Sequence, residues 1–517
     1  MQDNPSRPAD AAPRMNVVVI KTDQQRSDTI AALGNAHMIT PHLDRLVREG
    51  VTFTNAYCCG ATCVASRAAF YTGQFAHNTG CYSFEPWAHN RTWLHEIRDA
   101  GYRTAAVGKV HHSPGGHMAF NEHLYVENFP EMEGFHDDYA TYLKAEGQEN
   151  GCRLITMDGN WMDKCASDVF PLDEKYHVDQ YVGRMAVRWI RDYDGSQPFY
   201  LHFGFQGPHD PFDPPQRFLD MYADRDVPLP HRDTRGLKDR PPHYARHMES
   251  ARESLRFDKG PNHASWGIDL RDKDDGQLRR MRRHYYALVT QIDEMLGGII
   301  VALESRGLLE NTLVVFTSDH GENLGDHDLM YKWLMTDQTV RVPMVVRIPD
   351  GLNRAAAAGR RATVDDGLFT QIDFGPTILD ALGIEQPQRL DGRSAWTRWL
   401  TGDLADAPDR VYCEDTYLTM VRTAHRKLIM YAGQKFEEYF DLASDAWEEH
   451  NLADDARFSA EIATLKGETL EWLMVSRYLG SLPQIGHANG RRAIWPPNHP
   501  HDPFVLHPGC IRPVDAK

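Results

Sequence analysis

The sequence predicts an α/β fold: a large mixed, mostly parallel sheet sandwiched by helices, followed by a smaller α+β subdomain. Three observations carry this. Short β-branched apolar runs recur and stop abruptly at polar residues, helical stretches alternate with them, and near the C-terminus the pattern changes to closely spaced alternating strands. Runs rich in Val and Ile are how strands buried on both faces read, and their alternation with helices implies βαβ units.

Taken in order, "MNVVVIKTDQQRSD" is such a run and ends at Asp23 and Gln24; "TPHLDRLVREG" after it reads as a helix. "GYRTAAVGKVHH" runs into Lys109, His111 and His112, and "PFYLHFGFQGPHDPF" delivers His209 after a Gly-Pro break. "RRHYYALVTQIDEMLGGIIVALESRG" is a long helix, and "NTLVVFTSDHGEN" ends at Asp319 and His320. Ligands of parallel sheets sit at the carboxyl ends of the strands. If these four runs are neighbours, residues far apart in sequence converge on one edge. Any one run, taken alone, is an ordinary core strand with a polar turn after it. Four runs ending in two Asp, one Gln, one Lys and several His favour a site.

The helix-like "FTQIDFGPTILDALGI" stops at Gly383, and the punctuation of "EQPQRLDGRS" marks a boundary. The division expected is a polar extension over 1–14, a catalytic domain over 15–385, a C-terminal α+β subdomain over 386–480 and a tail over 481–517. The subdomain holds the short alternating strands of "RVYCEDTYLTMVRTAHRKLIMYAGQKFEEYFDL" and a helix near 456–476. The tail, rich in Pro, His and aromatics, is expected to pack on a neighbouring subunit or line the entrance. Segments 112–175 and 225–275, dense in charge, are expected to shape the substrate pocket.

The net charge of −17 over 517 residues argues against nucleic acid or an anionic membrane as partner. It also makes any local cluster of Lys, Arg and His informative. The start "MQDNPSRPADAAPRMN" has no apolar core of a secretion signal, no stretch reads as a membrane span, and eight cysteines are too sparse for a disulfide framework. The expectation is a cytoplasmic chain with reduced thiols.

Asp23, Gln24, Asp319 and His320 form an oxygen-rich set with one imidazole. Such donors suit Ca²⁺, Mg²⁺ or Mn²⁺ rather than a structural zinc. Residues 58–73, "CCGATCVASRAAFYTG", place three cysteines within six positions. Cys59-x₃-Cys63 lacks the second half-site of a closed zinc centre, and no C-x-x-C redox pair is present. Buried thiols are the ordinary reading for Cys58, Cys81, Cys152, Cys165, Cys413 and Cys510. Cys63 differs: it opens a helix, where free N–H groups and the dipole favour negative charge, and Arg67 follows one turn on along the same face.

Here the chain resembles the formylglycine-dependent sulfatases of the alkaline phosphatase superfamily. Their C-x-P/A-x-R hallmark is matched by Cys63-Val64-Ala65-Ser66-Arg67, and their G-Y-x-T-x-x-x-G-K-x-H by Gly101 to His111. "PHDPF" around His209, "SDHGE" around Asp319, Lys332, "VRVP" at 340–343 and the late "EEYFDLASDAWEEHNLADD" fall in family order, over roughly residues 15–460. The resemblance implies an alkaline-phosphatase-like fold and hydrolysis of small-molecule sulfate monoesters.

It also implies roles. Cys63 becomes formylglycine, through a transient encounter with a formylglycine-generating enzyme, and its hydrated form attacks sulfur. Asp23, Gln24, Asp319 and His320 hold one divalent cation, Ca²⁺ first and Mn²⁺ or Mg²⁺ as alternatives, and Asp319 takes the nucleophile's proton. Arg67, Lys109 and Lys332 neutralise the oxyanion. His209, with Lys332, protonates the leaving alcohol, and His111 deprotonates the remaining hydroxyl to expel sulfate. Cys58 and Cys59 have no part. A homo-oligomer, dimer or tetramer, is expected.

Ala65 stands where proline is commoner. The pairs Asp23-Gln24 and Asp319-His320 look like the phosphonate monoester hydrolase and choline-sulfatase branch, whereas Gly108-Lys109-Val110-His111 is the sulfatase form. A phosphonate monoester or phosphodiester hydrolase on the same scaffold is therefore the alternative, and an unmodified, non-catalytic metal-binding member a further one.

Overall fold

The structure, a computed structural model, describes residues 14–87, 91–111, 118–127, 136–148, 163–232, 240–241, 268–352 and 362–481. The 1–13 extension, the 482–517 tail, Cys152, Cys510 and much of the two expected pocket-shaping segments lie outside the described residues.

In chain order the elements that matter are β1 (Asn16–Thr22), α1 (Pro41–Glu49), β2 (Val51–Tyr57), α2 (Cys63–Thr72), β3 (Arg103–Gly108), β4 (Glu122–Tyr125), α3 (Val178–Asp192), β5 (Phe199–Gly204), α4 (Asp275–Ser305), β6 (Thr312–Ser318), β7 (Arg341–Arg347), β8 (Thr363–Asp365), β9 (Phe369–Thr370) and α5 (Phe374–Ala381). The large sheet runs β4-β3-β5-β1-β6-β7-β2-β8, with β9 also on β2. The four runs that end in chemistry, β3, β5, β1 and β6, are consecutive and mutually parallel: Val17 pairs with Tyr200 on one side and Leu313 on the other. β7 runs antiparallel to both of its neighbours, so the sheet is mixed but mostly parallel, as the sequence predicts.

Alternate β1 residues point to opposite faces. Val17 and Val19 join a core with Phe70, Trp93 and Phe374, while Val18 and Ile20 pack in a second core with residues of α1, α3 and α4. α4 starts at a capping box, Asp274 with Gln277, and is long and apolar enough to cross a membrane, yet its apolar window is 78% buried inside the protein. Its hydrophobicity is spent on the core.

A second sheet, β10 (Arg410–Asp415), β11 (Leu418–Thr423), β12 (Arg426–Tyr431) and β13 (Glu437–Asp441), is an antiparallel meander followed by α6 (Ser459–Ser481). The bridge Gly60–Glu414 joins it to the loop before Cys63.

Candidate active site

At the end of β1 the chain turns out of extended geometry: Gln24 has φ +66, a conformation sparsely allowed outside glycine and held only where neighbours over-determine it. Here the Gln24 N–H donates to Asp319 Oδ1 at 3.0 Å, and Tyr285 on α4 donates its hydroxyl to the Gln24 carbonyl at 2.6 Å. The Asp23 N–H donates to Gly207 at 3.1 Å. The turn thus sets Asp23 beside Asp319, the residue that leaves β6.

Gly108 and Gly204 let the other two strand ends close in. A Cβ on Gly108 (φ +101) would lie 2.0 Å from the Gly204 carbonyl, and one on Gly204 would lie 2.0 Å from the Lys109 carbonyl. Lys109 therefore turns off β3 into the site, with Nζ 2.7 Å from Asp23 Oδ2.

Cys63 is the first residue of α2 and is buried. One turn on, fully buried Arg67 donates from Nε to Asp319 Oδ2 at 2.8 Å and from Nη1 to the Lys109 carbonyl at 3.0 Å, with Nη2 3.4 Å from Asp23 Oδ2. Lys332 Nζ lies 3.0 Å from Gln24 Oε1 and 3.7 Å from Cys63 Sγ. Burial works to raise the Asp23 carboxyl, but Lys109, His209, Lys332 and Arg67 together hold it well below its ordinary range. Burial likewise acts to raise the Cys63 thiol, but opposing effects led by the charge of Lys332 outweigh it, bringing the thiol down to about 7. In a chain of net charge −17 this is a concentrated cationic pocket.

Asp23 Oδ1 and His320 Nε2, both buried in it, have no hydrogen-bond partner. His320 Nδ1 donates to the Gly321 carbonyl at 2.7 Å, which places the ring proton there and turns the lone pair of Nε2 toward Asp23 Oδ1 and Asp319 Oδ1, each 3.7 Å away. Ligand atoms of Asp23, Asp319 and His320 all lie within 4.8 Å of one another. Orphaned buried polar atoms are rare because each costs about 1–3 kcal/mol. Two carboxylates and one imidazole converging in this way fit a hard dication. Gln24 stands beside them, but its amide is already engaged: Nε2 donates to Glu322 Oε2 at 2.5 Å and Oε1 accepts from Lys332. Only the second lone pair of Oε1 remains for an ion.

His111 (φ +59) is held by its N–H on Glu127 Oε1 at 2.8 Å, with a ring nitrogen within 4.8 Å of Cys63 Sγ and an Asp23 oxygen. Burial, then Lys109, pushes its imidazole down to about 3, so it is a neutral base. His209 is the opposite case. Burial and Lys332 act to lower it, yet Asp210 and Asp23 leave it raised; Nδ1 sits 2.8 Å from the Asp210 carbonyl and 3.0 Å from Asp210 Oδ1. A raised imidazole is an acid.

The structure thus gathers Asp23, Gln24, Cys63, Arg67, Lys109, His111, Asp319, His320 and Lys332 into one contiguous cluster. His209 stands against Asp210 and is felt there through its charge. Sequence reasoning passed over the residues that hold this set. Glu322 accepts from Gln24 and from the Leu324 N–H at 2.9 Å, and burial lifts its carboxyl to about 7. Ser66 Oγ lies 2.5 Å from the Asp319 carbonyl and 2.8 Å from Gln371 Oε1, its one proton shared between them. Glu322 falls inside the "SDHGE" motif, a signal that was available; Glu127, Ser66 and Gln371 carry none.

Comparison with known proteins shows the family. The family described as Sulfatase matches residues 15–384, and one described as N-sulphoglucosamine sulphohydrolase, C-terminal, matches residues 325–474. An arylsulfatase of Clostridium perfringens is 29% identical over 87% of this chain and 92% of its own. The multifunctional alkaline phosphatase superfamily protein PehA of Trinickia caryophylli is 28% identical over 89% and 95%. Among solved structures, a phosphonate monoester hydrolase of Agrobacterium radiobacter, 24% identical, superposes with a TM-score of 0.72 over 90% of this chain and 96% of that one.

Proposed function

The chain belongs to the sulfatase family of the alkaline phosphatase superfamily and is a sulfuric ester hydrolase, and from this premise we propose that it works through a formylglycine made from Cys63 beside one divalent cation. The observation that supports this reading is the pair of orphaned buried atoms, Asp23 Oδ1 and His320 Nε2, set with Asp319 against the residue at position 63. Asp23, Asp319 and His320 would hold the ion, Gln24 Oε1 joining with its second lone pair; Ca²⁺ is the first choice, Mn²⁺ and Mg²⁺ the alternatives. When bound, the cation polarises sulfate oxygen and lowers the pKa of a neighbouring hydroxyl. The aldehyde supplies, once hydrated, a hydroxyl nucleophile and a second hydroxyl for release of sulfate.

The chain's own residues do the rest. Arg67, Lys109 and Lys332 stabilise charge on the non-bridging oxygens from fixed, buried positions, so no reorganisation is needed as charge builds. His209, raised and paired with Asp210, gives its proton to the leaving oxygen. His111, neutral beside position 63, takes one from the remaining hydroxyl.

The pairs Asp23-Gln24 and Asp319-His320, with the similarity to a multifunctional relative, support phosphonate or phosphate diester cleavage as a secondary activity. The test couples the mass of the Cys63 peptide with turnover of an aryl sulfate and a phenyl phosphonate ester. An unaltered thiol in fully active protein overturns the mechanism, and faster turnover of the phosphonate ester reverses the order of the two activities.

A further inference from the structure

We infer that Trp333 and Phe84 form the subsite for the alcohol half of the ester and that they select a flat aryl alcohol. This rests on the sulfatase reading above and deepens it. Lys332, whose Nζ is 3.7 Å from Cys63 Sγ, lies between two aromatic residues in sequence. Trp333 has φ +73, a strained conformation for so bulky a residue, and its N–H donates to the Ala61 carbonyl at 3.0 Å, two residues before Cys63. The chain accepts that strain and so keeps the indole on the loop that carries position 63.

Phe84 arrives from the other side of the same loop. Thr62, immediately before Cys63, donates its hydroxyl to the Ser83 carbonyl at 3.0 Å, and the N–H groups of Tyr82 and Ser83 converge on Glu85 Oε2 at 2.9 and 2.7 Å. The turn presenting Phe84 is thereby locked. Ring centroids are 6.4 Å apart for Tyr331 and Trp333, tilted by 70°, and 6.4 Å apart for Trp333 and Phe84, tilted by 55°.

The row has a direction. Tyr331, 5% exposed, is buried in the core with Phe212 and Tyr285 and backs Trp333 from within. At the other end Phe84 is 48% exposed, a large apolar ring left in water beside a reactive centre. An ester held at Cys63 therefore has Trp333 and then exposed Phe84 between it and solvent, where its alcohol half must lie. The exposed ring of Phe84 offers a face or an edge to a planar group. A quaternary ammonium alcohol also binds aromatic faces, but here it would bring its charge toward Lys332. A sugar needs partners for its hydroxyls, which the apolar ring of Phe84 does not supply.

The experiment compares wild type, Phe84→Ala and Phe84→Tyr on an aryl sulfate, methyl sulfate, a hexose sulfate and a quaternary-ammonium ethyl sulfate, all with aldehyde-bearing, metal-loaded enzyme. The expected result is an aryl preference in wild type. Its kcat/KM ratio over methyl sulfate should fall about 3- to 10-fold in Phe84→Ala, through KM, and be kept in Phe84→Tyr. An unchanged aryl-to-methyl ratio in Phe84→Ala overturns the inference, as does a wild-type preference for the hexose or quaternary-ammonium ester; in both cases the sulfatase reading stands. Turnover of no sulfate ester overturns that reading and the inference with it.

Discussion

Two clusters of buried charge lie in this molecule, and they are finished differently. Where the second sheet meets the loop before β7, Lys427 donates to the Met335 carbonyl at 2.9 Å, to Asp337 Oδ1 at 2.5 Å and to Glu448 Oε1. Asp337 Oδ2 takes the Tyr57 hydroxyl at 3.2 Å, and Glu448 Oε2 takes the Asp337 N–H at 3.4 Å. Every proton of the ammonium and every carboxylate oxygen is matched. At the carboxyl ends of β1 and β6 the carboxylates are as deeply buried, yet Asp23 Oδ1 and His320 Nε2 are left over. A closed network is fastening; an open one is a place prepared for something that is not the protein. Burial and pKa alone do not separate the two, but the count of unmet atoms does.

The contrast is broken most severely by Cys63→Ala, which should cost on the order of 10⁵-fold in kcat on aryl sulfate while leaving the thermal midpoint essentially in place. Lys427→Met should do the reverse. It leaves Asp337 and Glu448 buried without their cation, a loss of about 3–5 kcal/mol in urea unfolding, with kcat/KM of the folded fraction within about threefold of wild type.

His209→Asn should lower kcat by about 10²–10³-fold and change the shape of its pH profile. As the proposed acid, His209 would act in its protonated form; it is raised above the ordinary imidazole value, so wild-type kcat should fall as pH rises through that raised value; the variant should lack this alkaline limb. His320→Ala should weaken binding of the divalent cation by about 100-fold, read by metal titration. Equal metal affinity in the variant would close the open network on paper and end the comparison.

Much of this was legible in the sequence because parallel strands deliver their C-terminal residues to one edge. Asp23, Lys109 and Asp319 each directly follow a strand, His209 lies in the turn beyond β5, and β3, β5, β1 and β6 proved adjacent. The motif around Cys63 likewise gave α2 its start. What sequence could not show is pairing across distance. Gln24 reads as a ligand, and only the fold reveals its amide tied to Glu322 and Lys332. Glu127 supports His111 through backbone N–H groups, which leave no mark on residue identity. The reversed β7 and the Lys427 network depend on contacts among segments that no local pattern links.

The place of β1 in the sheet has a consequence for how the protein is made. β1 starts at Asn16, yet one of its two partners, β6, starts only at Thr312. During synthesis the first strand therefore waits with one edge bare until most of the polypeptide has left the ribosome, and bare edges invite wrong partners. If position 63 becomes formylglycine as proposed, the same delay would keep it, sealed in the finished fold, within reach of an oxidising enzyme. Stalled nascent chains ending before residue 312 should accept the aldehyde modification, and refolded full-length thiol protein should refuse it, as peptide mass would record.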